Sequence, residues 1–144
     1  MSFSVEYDEP GDYIIVTVKG KFTLDEFKKL CFGVREQLEK YKCNKVLNDL
    51  SRASVNISIT DLYRMPSLAR EIGIPRKVKR ALLVRKVDQT IRFLETVFMN
   101  RGNMIRVFRN REEALKWLIG DPFGIPGSPG NGIGSKRSQF LDDL

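Results

Sequence analysis

The chain has 144 residues, enough for one domain whose core needs neither metal nor disulfide to hold it. Its composition, 42% hydrophobic and 30% charged, is that of an ordinary globular protein, and no apolar run approaches the ~20 residues of a membrane span. The net charge of +7 is carried unevenly: residues 1–60 balance, nine basic against nine acidic side chains, whereas 61–116 hold fourteen against six, an asymmetry that points to an anionic partner.

Phe3, Val5 and Tyr7 alternate with polar residues as in a half-buried strand. This start lacks the basic and apolar segments of a signal peptide, so a bacterial-type cytoplasmic protein is the simplest reading. Glu9-Pro10-Gly11-Asp12 signals a turn, and the β-branched run Tyr13 to Lys19 completes an antiparallel hairpin. Thr23 with Glu26 forms a capping box. Leu24, Phe27, Cys31, Val34, Leu38 and Tyr41 then recur at spacings of three and four, one face of a long amphipathic helix. Lys45 to Ser51 reads as a short strand and Val55 to Thr60 as a polar connection, with Ser58 and Thr60 as helix caps.

The next helix carries Leu62, Met65, Leu68 and Ile72. Pro66 inside it removes a hydrogen bond, so a kink or two short helices is expected. Ala81-Leu82-Leu83-Val84 reads as a buried strand. Asp88 or Thr90 caps a helix bearing Ile91, Leu94 and Phe98, Met104 to Phe108 is a further strand, and Asn110 opens a last helix that Gly120 closes. The order is ββαβαβαβα. It predicts an α/β fold: an N-terminal β-hairpin followed by βαβαβα units, forming a mainly parallel five-stranded sheet with helices mostly on one face and the other face partly open. Residues 1–119 form the domain, and 120–144, rich in Gly and Pro, form a flexible tail.

Chemistry is sparse. The chain has no histidine, which removes Ser-His-Asp and Cys-His nucleophile activation, the commonest general base and most zinc chemistry. Cys31 belongs to a core stripe, and Cys43 twelve residues on makes no metal site with it. P-loop and dinucleotide-binding glycine patterns are missing from the folded part. Asp49 is the one carboxylate at a strand end where a catalyst could sit. The chain is therefore expected not to be an enzyme, with no metal and no cofactor.

In open α/β sheets ligands bind beyond the carboxyl ends of the parallel strands, beside helix N-termini. Ser51, Arg52 and Ser54 follow one strand there. Arg85, Lys86, Asp88 and Thr90 follow the next, and Arg109 and Arg111 the last. Basic side chains and helix N-termini together favour an anion. The run Arg76-Lys77-Val78-Lys79-Arg80 lies at the opposite end as a separate basic patch, suited to electrostatic contact with a membrane surface. With few aromatics among these cations and no nucleic-acid motif, a nucleic-acid partner is not expected.

The opening hairpin with Tyr13 to Gly20, the helix from Thr23, the strand Val46 to Leu50, and the closing Val107-Phe108 with Glu113-Ala114-Leu115-Lys116-Trp117-Leu118 resemble the SpoIIAA-like proteins. These are similar in fold to STAS domains and to SEC14/CRAL-TRIO lipid-binding proteins. The resemblance covers residues 1–119. It implies a binding module for a lipid-like or anionic amphipathic ligand, with peripheral membrane contact. The head would lie near Arg85, Lys86 and Arg109, and the apolar part near Met65, Leu68, Phe93 and Phe98. It alternatively implies a regulatory protein-interaction module like the anti-sigma-factor antagonists, acting through Ser58 to Arg64. Those carry an Asp-Ser-Ser-Gly-like phosphorylation motif. Here residues 54–61 read Ser-Val-Asn-Ile-Ser-Ile-Thr-Asp, without the glycine, so capping is the better account of Ser58 and Thr60. The candidate site residues are thus Arg52, Ser58, Thr60, Arg64, Arg85, Lys86, Thr90, Phe93 and Arg109. Oligomeric state is left open, a dimer being one option.

Overall fold

The alternation at the N-terminus forms β1 (Ser2–Asp8), which pairs antiparallel with β2 (Tyr13–Phe22) from Ser2 opposite Lys19 to Asp8 opposite Tyr13. The Asp8 carboxylate closes the intervening turn by accepting the Gly11 N–H at 2.9 Å. The computed structural model describes residues 2–120. The expected tail, beyond Gly120, lies outside the described residues. After the hairpin come α1 (Leu24–Tyr41), β3 (Lys45–Val55), α2 (Ile59–Ile72), β4 (Lys79–Leu83), α3 (Gln89–Asn100), β5 (Met104–Phe108) and α4 (Arg111–Ile119). No helix among the described residues is long and apolar enough to cross a membrane.

The five strands stand side by side in chain order. The sheet is mixed: β1–β2 is antiparallel and the other three pairings are parallel. Right-handed crossovers that always step to the next strand place their helices on one face. Accordingly α1, α2 and α3 cover one face of the sheet, over Ile14, Val16, Val46 and Leu82. The opposite face is covered in part by α4, whose Ala114 and Leu118 pack on Tyr13, Leu47, Ala81 and Leu83, while Ser2, Ser4 and Glu6 of β1 stay exposed, so this face is partly open as expected. Apolar side chains on both faces of β4 require this second layer.

Two expected boundaries are corrected. Pro66 does not divide α2. It is buried within one continuous helix, its ring contributing to the core face beside Leu62, Met65 and Ala69. And β3 does not stop at Ser51 but runs to Val55. The pairing with β2 shifts between Thr17 opposite Asp49 and Lys19 opposite Arg52, so β3 carries one extra residue, a bulge, and continues beyond it. Arg52 and Ser54 are strand residues rather than loop residues.

Candidate functional site

The bulge is held by Asp49. Its Oδ1 accepts the Ser51 N–H at 3.0 Å and the Ser51 hydroxyl at 2.6 Å, and its Oδ2 accepts Arg111 Nη2 of α4 at 2.8 Å. Asp49 therefore does not stand free at a strand end. Both oxygens are occupied in tying the sheet to α4.

Past the bulge β3 outruns its neighbour. β4 pairs with it only from Lys45 to Asp49 and ends at Leu83. The unpaired flank of the β3 extension, the chain leaving β4 and the start of α3 enclose a cleft of about 220 Å³. Its lining is mixed, apolar at Leu50, Val55, Val84 and Ile91 and polar at Ser54, Arg85, Lys86, Asp88 and Thr90. The N-terminal end of α3 contributes its dipole, and no acidic residue occupies the helix's first turn. Asp88 is the one carboxylate lining the cleft among the described residues. It is the helix N-cap, accepting the Ile91 N–H at 3.0 Å. Thr90 is thus a first-turn residue and not the cap.

Of the expected site residues the structure brings Arg85, Lys86 and Thr90 together here. Arg109 lies across Arg85 in an adjoining, shallower depression with Ser51 and Arg111, so Arg85 bridges the two. Arg52 is exposed on the β3 extension. Ser58 is the N-cap of α2, accepting the Asp61 N–H at 3.1 Å, whereas Thr60 is exposed in the first turn. Arg64 pairs with Asp61 at 3.3 Å on the same helix. Phe93 faces a separate outer depression with Val87 and Arg92. Met65 and Phe98 line an internal cavity instead and Leu68 packs against the core, so the four apolar residues expected around one ligand tail do not converge.

The basic run 76–80 is not a single surface patch. Arg76 and Lys77 are exposed, but Lys79 is half-buried and Arg80 is 7% exposed. Lys79 Nζ donates to the Trp117 carbonyl and sits 4.5 Å from the Trp117 ring centre. Burial, aided by Lys45 nearby, pushes its pKa down to about 8 from 10.5. Between pH 8 and 10.5 the unfolded chain holds this proton and the folded chain has released it, so Lys79 makes stability rise with pH across that window. Lys79→Met is expected to remove that rise, measured as the difference in urea midpoints between the two proteins from pH 7.5 to 10.5.

Sequence reasoning missed Arg80 as an interior residue, although Val78, Arg80, Leu82 and Val84 share one face by strand alternation. Arg80 Nη1 donates to the Val78 carbonyl at 3.3 Å and to Asn103 Oδ1 at 3.1 Å.

A family model described as SpoIIAA-like matches residues 13–119. Among solved structures, an uncharacterized protein of the DUF3478 family with a SpoIIAA-like fold, from Shewanella loihica PV-4, is 16% identical with a TM-score of 0.56, covering 81% of this chain and 92% of that one. The anti-sigma factor antagonist SpoIIAA in its unphosphorylated form is 15% identical with a TM-score of 0.55, covering 83% and 100%. At these identities the likeness is one of fold. No curated protein matches the sequence.

Proposed function

The chain belongs to the SpoIIAA-like family, and from that premise we propose that it is a non-catalytic binding module taking an anionic amphipathic ligand at the cleft beside β3 and α3. The carrying observation is the cleft's mixed lining. Arg85, Lys86 and the α3 N-terminus line about 220 Å³ together with Leu50, Val55, Val84 and Ile91, room for an anionic head and the first carbons of an apolar chain. A lipid or related amphiphile presents that pairing, and a cleft at the carboxyl ends of β3 and β4 also permits contact at a membrane surface.

The test is co-sedimentation with vesicles of phosphatidylcholine, with and without phosphatidylglycerol. The chain is expected to bind the anionic vesicles in a salt-sensitive manner, and Arg85→Ala with Lys86→Ala is expected to weaken binding about thirtyfold, near 1 kcal/mol per basic residue at the surface. Equal binding to neutral vesicles, or an unchanged double variant, would contradict it.

A regulatory protein partner is the second reading. It is favoured by Ile59 and Tyr63, which lie one turn apart on α2 just after the Ser58 cap and remain 70% and 57% exposed. The anti-sigma factor antagonist of the same fold gives the kind of role. A protein partner would be lost on Ile59→Ser with Tyr63→Ser and retained in the Arg85/Lys86 variant. The opposite pattern favours the cleft.

A further inference from the structure

Beneath α1, α2 and α3 lies an internal cavity of about 60 Å³, walled by side chains such as Val34, Leu50, Met65 and Phe98, with Arg80 on its lining. Its volume equals that of about two water molecules. Arg80 is 93% removed from solvent, and its Nη2 has no hydrogen-bond partner among the described residues. The groups it does touch are neutral: the Val78 carbonyl, the Asn103 amide oxygen and the Phe98 ring at 5.7 Å. No carboxylate among the described residues forms a salt bridge with it. Cys31 lines the same cavity, but burial pushes its thiol up to about 12, so at neutral pH it is not a thiolate and supplies no counter-charge. The guanidinium itself stays protonated, burial lowering its pKa only to about 10.

An unpaired buried charge costs several kcal/mol, and a water molecule at Nη2 would satisfy the donor without balancing the charge. From this arrangement we infer that the cavity is a binding site for a carboxylate group, paired with Arg80 Nη2. A carboxylate meets a guanidinium in plane and carries a single charge. The cavity's volume of about 60 Å³ is of the size of formate or acetate. A longer acid would have to displace Leu50, which lines both this cavity and the cleft beside β3 and α3. The two sites are otherwise separate, and the interior site does not depend on the reading of the cleft.

The experiment is thermal unfolding of the full chain in sodium formate, acetate or octanoate, each against sodium chloride at matched ionic strength. It is combined with nitrogen NMR of the Arg80 side chain. Saturable stabilisation by at least one acid is expected, a Tm rise of about 5 °C at saturation, with a shift of the Arg80 guanidinium resonances. Response to formate and acetate alone identifies a free small acid. A stronger response to octanoate identifies the head of a fatty acid. Arg80→Met, which keeps the bulk and removes the charge, is expected to bind at least about tenfold more weakly, the loss of one charge-assisted hydrogen bond. Should that variant not fold, the Arg80 resonances of the unmodified chain decide. No effect of any acid beyond chloride, or shifts that leave Arg80 unmoved, would overturn the inference.

Discussion

Leu47→Ala is expected to lower the unfolding free energy by about 3–4 kcal/mol and to loosen α4 from the sheet. Leu47 is fully buried, and the cluster it anchors on this face is small, with only Tyr13, Ala81, Leu83, Ala114 and Leu118 as its other buried members. Truncation removes transfer free energy and leaves a cavity, and a face held by one short helix has few neighbours with which to fill it. The single tryptophan, Trp117, lies on α4 against Phe108, their ring centres 5.7 Å apart. Its fluorescence therefore reports α4 docking while circular dichroism reports the whole domain. In the unmodified chain the two urea transitions should coincide. In Leu47→Ala the fluorescence midpoint should fall further than the circular-dichroism midpoint, because α4 loses packing in its small cluster and the three-helix side does not. Coincident midpoints displaced by less than 1 kcal/mol would show that α4 is held by something other than this cluster.

Asp49→Ala carries the second large effect, about 2–3 kcal/mol. Three donors lose their acceptor at once, and the Asp49 side chain is only 12% exposed, so water replaces it poorly. Arg111→Ala should cost far less, about 0.5–1 kcal/mol, since that guanidinium is 46% exposed and can turn to solvent. A double-mutant cycle on the pair isolates the link between β3 and α4, and a coupling of about 1 kcal/mol is expected. The change also reaches function. Asp49 pins the bulge, and the bulge sets where Ser54 and Val55 stand beside Arg85, so Asp49→Ala should weaken ligand binding at the cleft although it touches no ligand. Loss of stability with unchanged affinity would separate the two roles.

The elements that rest on simple periodicity were legible. The stripe Phe27, Cys31, Val34 and Leu38 spaced at three and four, and the caps Thr23, Ser58 and Asn110, all stand where the residue types place them. The end of β3 was not. Arg52 and Ser54 alternate with Ala53 and Val55 as a strand does, but the extra residue at the bulge interrupts the period, and the polar content resembles a loop. Since the cleft exists only because β3 outruns β4, its apolar lining could not be drawn from the sequence, whereas its basic lining at Arg85 and Lys86 could. Arg80 was hidden for a different reason. Four cations within five residues look like a surface patch, and charge counting overrode an alternation that places Arg80 between Val78 and Leu82 on the covered face. Placement of α4 on the far face followed from side chains on both sides of Ala81 to Leu83, a pattern consistent with burial from either direction.

The central claim is that the cleft beside β3 and α3 takes an anionic amphiphile. Amide chemical-shift mapping during titration with dodecyl phosphate, kept below its micelle concentration, tests it most directly. Saturable shifts concentrated at Ser54, Val55 and Arg85 to Ile91, lost in Arg85→Ala with Lys86→Ala, are the predicted result. Shifts absent there, or centred on Ile59 and Tyr63 and unchanged in the double variant, would contradict it.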